Sequence, residues 1–486
     1  MHKTLRLTAI SVALASLLLG CAAVGPSYAA PAAANQVPLP VQYRAADKAH
    51  HWWQQFNDPV LSQLIEKALL NNQTLAAAEA NVKRAYAAFE DSDNDGLPRL
   101  DITASQQNNQ VPDSATVDAG QIQRQANFGG ALSWDLDLFG KLRRAAEAAN
   151  ARAQGAELAW QEAKVQLLAQ VAASYGDYRG AELRLTVAEQ NLGNLRRTKQ
   201  IILARRDAGF ASDLEISRID AQMYQLQSTI PQHQFDKAQA SATLAALVAQ
   251  PAEQFVLDSA LVKNRPEALP ELNKPLSFAN QHNYLKFRTD VAVAERELAA
   301  STADIGVATA ELYPEVSVSG FLGFISSPGL SLGSQNEAWS IAPSLRWQAT
   351  ELSSIQSRIR GAEATQQMAF ARFQQTVFDA LAQMQSSLQG YRTSREQQLS
   401  AQQQVAATEQ AVQLTRAQYE AGTTEFLDLL DAEREWLAAR DQQAVLSVQS
   451  FQRLVSVYRA FAGGLELTES EPLALNQKSA IAANRK

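Results

Sequence analysis

Cys21 is the sole cysteine among 486 residues, so no disulfide can form within the chain, and it closes the tetrad Leu18-Leu19-Gly20-Cys21. That tetrad reads as a bacterial lipobox, with cleavage before Cys21 and acylation of its thiol and new amine. Lys3 and Arg6, followed by the apolar run Leu7 to Leu19, supply the secretory signal such processing needs; the run is too short to span a bilayer comfortably. The alternative is a small buried thiol near an ordinary cleavage site. Ala22 rather than Asp follows the cysteine, which fits sorting to an outer membrane, where several acyl chains together hold firmly. A second pair of reactive groups, Asp428 and Asp431, is spaced to share one helix face. Such acidic residues early in a helix also simply complement its dipole. His50-His51 has no cysteine or ordered carboxylate nearby, so a solvated or packing role outweighs a metal site. No nucleophile elbow, phosphate loop or Ser/His/Asp arrangement is visible. The chain therefore reads as a non-enzyme without cofactor or metal.

The aspartates lie in Tyr419–Arg434, YEAGTTEFLDLLDAER, which has an earlier twin in Arg206–Gln222, RDAGFASDLEISRIDAQ. Each reads as a long helix closed by a glycine, Gly209 or Gly422, with a second helix beginning at once. Ser212 and Thr424 are placed to cap those second helices. The two tip glycines are 213 residues apart, and so are Trp134 and Trp347. Upstream, Pro98 pairs with Pro314, and Leu75 with Val291, at a spacing of 216. A register kept over such distances marks an internal duplication: helix, strand hairpin, long helix, tip, helix, twice.

Around the tryptophans the hydrophobic period drops to two. Leu100, Ile102 and Ala104 alternate with polar residues, as do Phe128, Leu132, Trp134 and Leu136, and in the second half Val316, Val318, Trp339, Ile341, Leu345 and Trp347. Four strands of about ten residues can cross a bilayer when tilted. A lone four-stranded sheet would leave unpaired backbone edges in lipid, so several chains would have to close one barrel. Trp134, Trp339 and Trp347 would then sit in interfacial aromatic belts. A pair of soluble hairpins packed on one face is the alternative. No proline falls between Pro112 and Pro231 or between Pro343 and Pro472. These gaps suit very long helices, over Lys141–Asp207 and about Leu352–Ala421, each roughly 100 Å long. The return helices are expected at Asp213–Val248, kinked by Pro231, and at Glu425–Phe461. One amphipathic helix is expected over Val60–Glu90. The net charge of -7 includes no basic patch for nucleic acid.

The expected organisation is a signal peptide over 1–20, an acylated extended tail over 21–57 and a first repeat over 58–275, with strands near 99–110 and 126–138 and a tip near 207–213. A second repeat spans 276–465, with strands near 315–325 and 339–348 and a tip near 420–425, before a C-terminal tail over 466–486.

These residues resemble the outer-membrane efflux proteins of the TolC/OprM type, in the NodT-like lipoprotein branch. The resemblance rests on Cys21-Ala22-Ala23-Val24-Gly25-Pro26 with Tyr28, Trp53 to Asp58-Pro59, Ser133 to Gly140, Ile230-Pro231, Ala303 to Ala308 with Tyr313-Pro314, and both tips. It spans nearly the whole mature chain and implies a mostly α protein with a membrane β-barrel: a homotrimer pooling twelve strands into one barrel, continued by a long periplasmic α-helical barrel. It implies an outer-membrane exit duct of a tripartite pump, docked on a periplasmic adaptor protein and an inner-membrane transporter of the RND type. Asp428 and Asp431 would ring the periplasmic aperture, with Tyr419 as a latch. Gly209, Glu215, Gly422 and Thr424 would form the adaptor-facing tips. Departures include Thr424 where relatives often carry arginine, Glu215 where many carry aspartate, and Phe287-Arg288-Thr289-Asp290 for Arg-Arg-Pro-Asp. A type I protein-secretion duct, or a non-conducting coiled-coil lipoprotein of the envelope, are the rival readings.

Overall fold

The structure is a computed structural model and describes residues 23–30, 44–45, 51–110, 122–257, 269, 277–278, 285, 288–327 and 329–461. The signal segment, Cys21 and the C-terminal tail lie outside the described residues. The main elements are α1 (Pro59–Asn71), α2 (Gln73–Asn94), β1 (Arg99–Gln110), β2 (Ile122–Leu136), α3 (Lys141–Asp207), α4 (Asp213–Gln227) and α5 (Ile230–Leu247), then α6 (Thr289–Ala310), β3 (Glu315–Ser326), β4 (Glu337–Arg346), α7 (Leu352–Glu420) and α8 (Phe426–Ala460). No helix among the described residues is long and apolar enough to cross a membrane. The chain divides into two compact units, one built on 80–158 and 292–375 with residues 23–30, the other on 51–79, 159–257, 288–291 and 376–461.

The first unit carries a four-stranded antiparallel sheet in the order β1-β2-β3-β4. Its register gathers apolar residues on one face in cross-strand rows, Leu100–Leu132–Gly320–Ile341 and Ile102–Gly130–Leu322–Trp339. That face is bare, with Ile102 83% and Trp339 75% exposed. The opposite face presents Asp101, Thr103, Ser133, Ser319 and Ser340, and the hydroxyls of Ser317 and Ser344 meet at 2.8 Å. β2 begins at Ile122 rather than near residue 126, because all twelve residues of β1 are paired with it. The strand hairpins are pinned alike at the base: the Trp134 indole donates to the Gly96 carbonyl and the Trp347 indole to that of Leu312, each at 3.1 Å. Donors and acceptors are thus related by the 213 and 216 spacings of the sequence.

Residues expected to trail as an extended tail are instead docked. Val24 donates to the Phe139 carbonyl, Arg144 donates to the carbonyls of Val24 and Gly25, and Tyr28 donates to Glu295 at 2.6 Å. Gly25, at φ 86°, lies so close to Gly306 that an added Cβ would stand 2.5 Å from the Gly306 Cα, while a Cβ on Gly306 would meet the Arg144 side chain at 2.8 Å. Asp137 closes the sheet-to-helix turn by accepting from the backbone of Leu142 and Arg143 at 3.0 Å.

The second unit has its core where Trp52, Trp53 and Phe56, in a short 3-10 turn, pack with α1 against α3, α5 and α8. Trp52 stacks on Tyr458 with ring centroids 4.5 Å apart. Asp58 caps α1 by accepting from Val60 and Leu61 and also receives the buried Tyr175 hydroxyl at 2.8 Å. His51 packs edge-on against Trp53. The single helix expected over Val60–Glu90 is two, because extended Asn72 accepts from the Leu75 amide and donates to the Leu247 carbonyl. The kink expected at Pro231 is a two-residue turn, Ser228 and Thr229, both right-handed helical in φ and ψ, that separates α4 from α5, with Pro231 in the first turn of α5, where its missing N–H costs nothing.

Candidate functional site

The tips form a small core of their own in the second unit. Leu195 and Ile202 of α3, Ile219 of α4, Tyr419 of α7, and Phe426, Leu429 and Leu430 of α8 are buried together. Gly209 and Gly422 both adopt positive φ, 83° and 76°, and so end α3 and α7 without Cβ strain. Ser212 takes the N-cap position of α4 as expected but makes no side-chain cap bond, and α8 takes Glu425 as its N-cap instead of Thr424. The Thr424 hydroxyl, one residue outside the N-cap, donates to Asp428 Oδ2 at 2.7 Å.

Tyr419 is buried and joins the two tips. Its hydroxyl donates to Glu215 Oε2 at 2.8 Å, and the Arg205 guanidinium lies over its ring at 4.6 Å. Arg205 also donates to the Glu420 carbonyl. Burial, then the hydrogen bond to the Glu215 carboxylate, push the Tyr419 phenol well above its ordinary range, so it remains a donor at any physiological pH. Asp428 and Asp431 share the exposed face of α8, as their spacing predicts. Asp431 has Arg434 no nearer than 3.8 Å. The structure thus brings Tyr419 to Glu215 and Thr424 to Asp428, and leaves both carboxylates facing outward.

Sequence reasoning passed over Glu433, the buried acid of this region. It sits on the inner face of α8 with Phe426, Leu429, Leu430 and Trp436, and is 1% exposed. The signal was present, because position 433 continues the apolar spacing of that face. His233 was also missed. It lines a cleft of about 530 Å³ with Arg184, Gln222, Arg434 and Asp441. Its Nδ1 has no partner among the described residues. Burial, and after it the Arg184 charge, lower its pKa. The folded state therefore favours the neutral ring, whereas the unfolded chain takes up a proton below about pH 6.5. Stability present above that pH should fall on acidification, and His233→Asn should flatten the loss. Unfolding midpoints between about pH 7.5 and 5 check this, and an unchanged slope in the variant would refute it.

At the sheet, Trp134 and Trp347 lie at the strand ends next to the helices, bonded as described above. Trp339, eight positions before Trp347, lies toward the other end, roughly 26 Å away along an extended strand. Among the described residues no group of His, Cys, Asp and Glu could hold a metal ion.

The family model for the outer membrane efflux protein matches residues 64–250 and 282–463. The cation efflux system protein CusC of Escherichia coli O157:H7 is 30% identical over 475 residues, covering 94% of this chain and 98% of that protein. The nodulation protein T of Rhizobium leguminosarum bv. viciae is 27% identical over 465 residues, covering 94% and 93%. The solved structure of the outer-membrane channel OprN superposes with a TM-score of 0.85 at 36% identity, covering 91% of this chain and 99% of that one.

Proposed function

Since this chain belongs to the outer membrane efflux protein family, we infer that it is the outer-membrane exit duct of a tripartite efflux pump. It conducts passively and receives cargo from a periplasmic adaptor and an inner-membrane transporter. The observation that carries this is the sheet, with a bare apolar face and free outer edges of 12 and 10 residues on β1 and β4. Each unpaired backbone group facing lipid costs several kcal/mol, so β4 of one chain pairs with β1 of the next and the sheet closes into a barrel. Three chains give twelve strands. The serine-rich face lines the lumen, and Trp339 at one rim with Trp134 and Trp347 at the other form the two aromatic belts.

The N-terminus supports a lipid anchor. Ala23 packs against Gly140, just past β2, at a spot where a Cβ on that glycine would stand 2.5 Å away. An acylated Cys21 would precede this contact by two residues in the chain. The tips around Gly209, Glu215, Gly422 and Thr424 face the adaptor, with Asp428 and Asp431 at the constriction. The two relatives named above carry names as different as nodulation and cation efflux at similar identity. Cargo is accordingly chosen by the partner pump and not by the duct.

Purified protein in planar lipid bilayers should give discrete single-channel conductance; a scaffold would give none. Cys21→Ala should abolish palmitate labelling in cells, and labelling that persists in the variant would remove the anchor.

A further inference from the structure

Among the described residues of the four strands, one aromatic side chain belongs to the serine-rich face of the sheet. Phe321 of β3 lies there in the cross-strand row Asp101–Ala131–Phe321–Ser340, whereas Phe128, Trp134, Phe324 and Trp339 fall on the apolar face. The next row is Thr103–Gly129–Gly323–Ala338. Its two glycines approach too closely for a side chain on either. A Cβ on Gly129 would stand 2.7 Å from the Gly323 Cα, and a Cβ on Gly323 would stand 2.5 Å from the Gly129 Cα and 2.3 Å from the Phe128 carbonyl oxygen. Phe321 covers the bare backbone left there, since its Cζ would meet a Cβ on Gly129 at 2.9 Å. The ring thus leans along the sheet over the glycine, an arrangement that shields a strand glycine from water. Its neighbours Ala131, Ser319 and Ser340 are short, and Phe321 stays partly exposed.

We propose that Phe321 is a contact site for flat aromatic solutes inside the barrel and sets how long such a molecule stays there. Covering Gly129 occupies one side of the ring, and any bulky aliphatic chain would serve that purpose. The side turned away from the sheet offers a π surface in a wall otherwise built of polar and small residues. Ile325, four positions further along β3 on the same face and 38% exposed, extends the apolar track by one side chain. A planar ring stacks on an aromatic face, and a planar cation gains in addition from the ring's negative quadrupole. Only what the lumen passes can reach this side, so the occupant is solute in transit; lipid meets the other face. Three chains place three such rings at one level. The pump still chooses what enters, and Phe321 acts on residence alone. The site rests on the reading of the chain as a duct whose serine-rich face lines the lumen.

Single-channel recording of the full-length purified protein tests this, with Asp428→Ala and Asp431→Ala present throughout so that the carboxylates of α8 do not hold cationic probes. Ethidium serves as the flat aromatic cation and tetrabutylammonium as an aliphatic cation of equal charge. Ethidium should interrupt the current for several-fold longer than tetrabutylammonium does. Phe321→Leu, which keeps an apolar cover over Gly129, should shorten the ethidium events several-fold, and Phe321→Trp should lengthen them. Tetrabutylammonium events should stay the same in both. Ethidium events that Phe321→Leu leaves unchanged, or that shift together with those of tetrabutylammonium, overturn the site and reduce the ring to a cover for glycine. If Phe321→Leu forms no pores, Phe321→Trp decides alone, and ethidium events no longer than in the parent barrel overturn the site. A parent protein that gives no pore at all removes the duct and the site with it. Pores of steady conductance without preference for ethidium remove the site and leave the duct standing.

Discussion

Replacing both Asp428 and Asp431 with alanine is expected to raise channel conductance several-fold and to abolish block by divalent cations. Both carboxylates are exposed on one face of α8. Among the described residues, the Thr424 hydroxyl bonds Asp428 and the Arg434 guanidinium lies 3.8 Å from Asp431. Neither supports a core contact, so their loss should change fold stability by no more than about 0.5 kcal/mol. Their field is another matter. A cation about 8 Å from one carboxylate gains ~2 kcal/mol at an effective dielectric of 20, which is roughly 30-fold in local occupancy. In the proposed trimer every chain contributes two such charges to one aperture, and a divalent ion held there obstructs flow. Removing the ring takes away both the obstruction and the preference for cations. Tyr419→Phe should have a smaller effect of the same sign, because it removes only the hydroxyl bond to Glu215. Conductance and divalent block that stay at wild-type values in the double variant would exclude these aspartates from the constriction.

What the sequence displayed plainly was whatever repeats or alternates. Trp134 and Trp347 stood out because the same distance separates the tip glycines, and the structure gives each indole the same bond at a hairpin base. The glycines were legible because a positive φ at a helix end admits few other residues. The strands were legible because their two-residue period survives on a sheet with one apolar face. What stayed hidden depended on partners far away in the chain. Asn72 breaks the first long helix by bonding to Leu247, 175 residues on, and no local propensity announces that. Thr424 is placed like a cap in the sequence, yet α8 begins one residue later with Glu425 as its N-cap, and the Thr424 hydroxyl donates to Asp428 instead. Ala23–Tyr28 looked too poor in apolar residues to pack. Its docking instead relies on the Gly25–Gly306 approach and on Arg144, whose role becomes visible only once α3 and α6 lie side by side within the first unit. Glu433 was hidden by its charge, since an acid on an apolar face is read as solvated unless its partners from α3 and α7 are known.

Arg288→Met should cause the largest single loss of stability in the second unit, about 3 kcal/mol. Arg288 is 7% exposed, and its guanidinium makes four hydrogen bonds. Nε and Nη2 fork onto the two oxygens of Asp290 at 2.8 and 2.5 Å, Nη1 donates to the Ala460 carbonyl at the end of α8 at 2.8 Å, and Nη2 also reaches Gln383 of α7 at 3.1 Å. Methionine fills a similar volume but provides none of these bonds. Asp290 would keep its charge without its cation, and the Ala460 carbonyl would lose its donor in a buried place. Asp290 is partly open to solvent, which holds the penalty toward the lower end of what a broken buried pair costs. The sharper test is the double variant Arg288→Met with Asp290→Leu. If the loss comes from the abandoned charge, removing that charge as well should recover most of it, leaving the Ala460 carbonyl as the residual cost. If it comes from the guanidinium's bonds to α7 and α8, the double variant should be no more stable than the single one. Guanidinium unfolding followed by helical circular dichroism distinguishes the two, and recovery is the expected outcome, because a paired charge in a buried setting is held more by the cost of breaking it than by any net gain from having it.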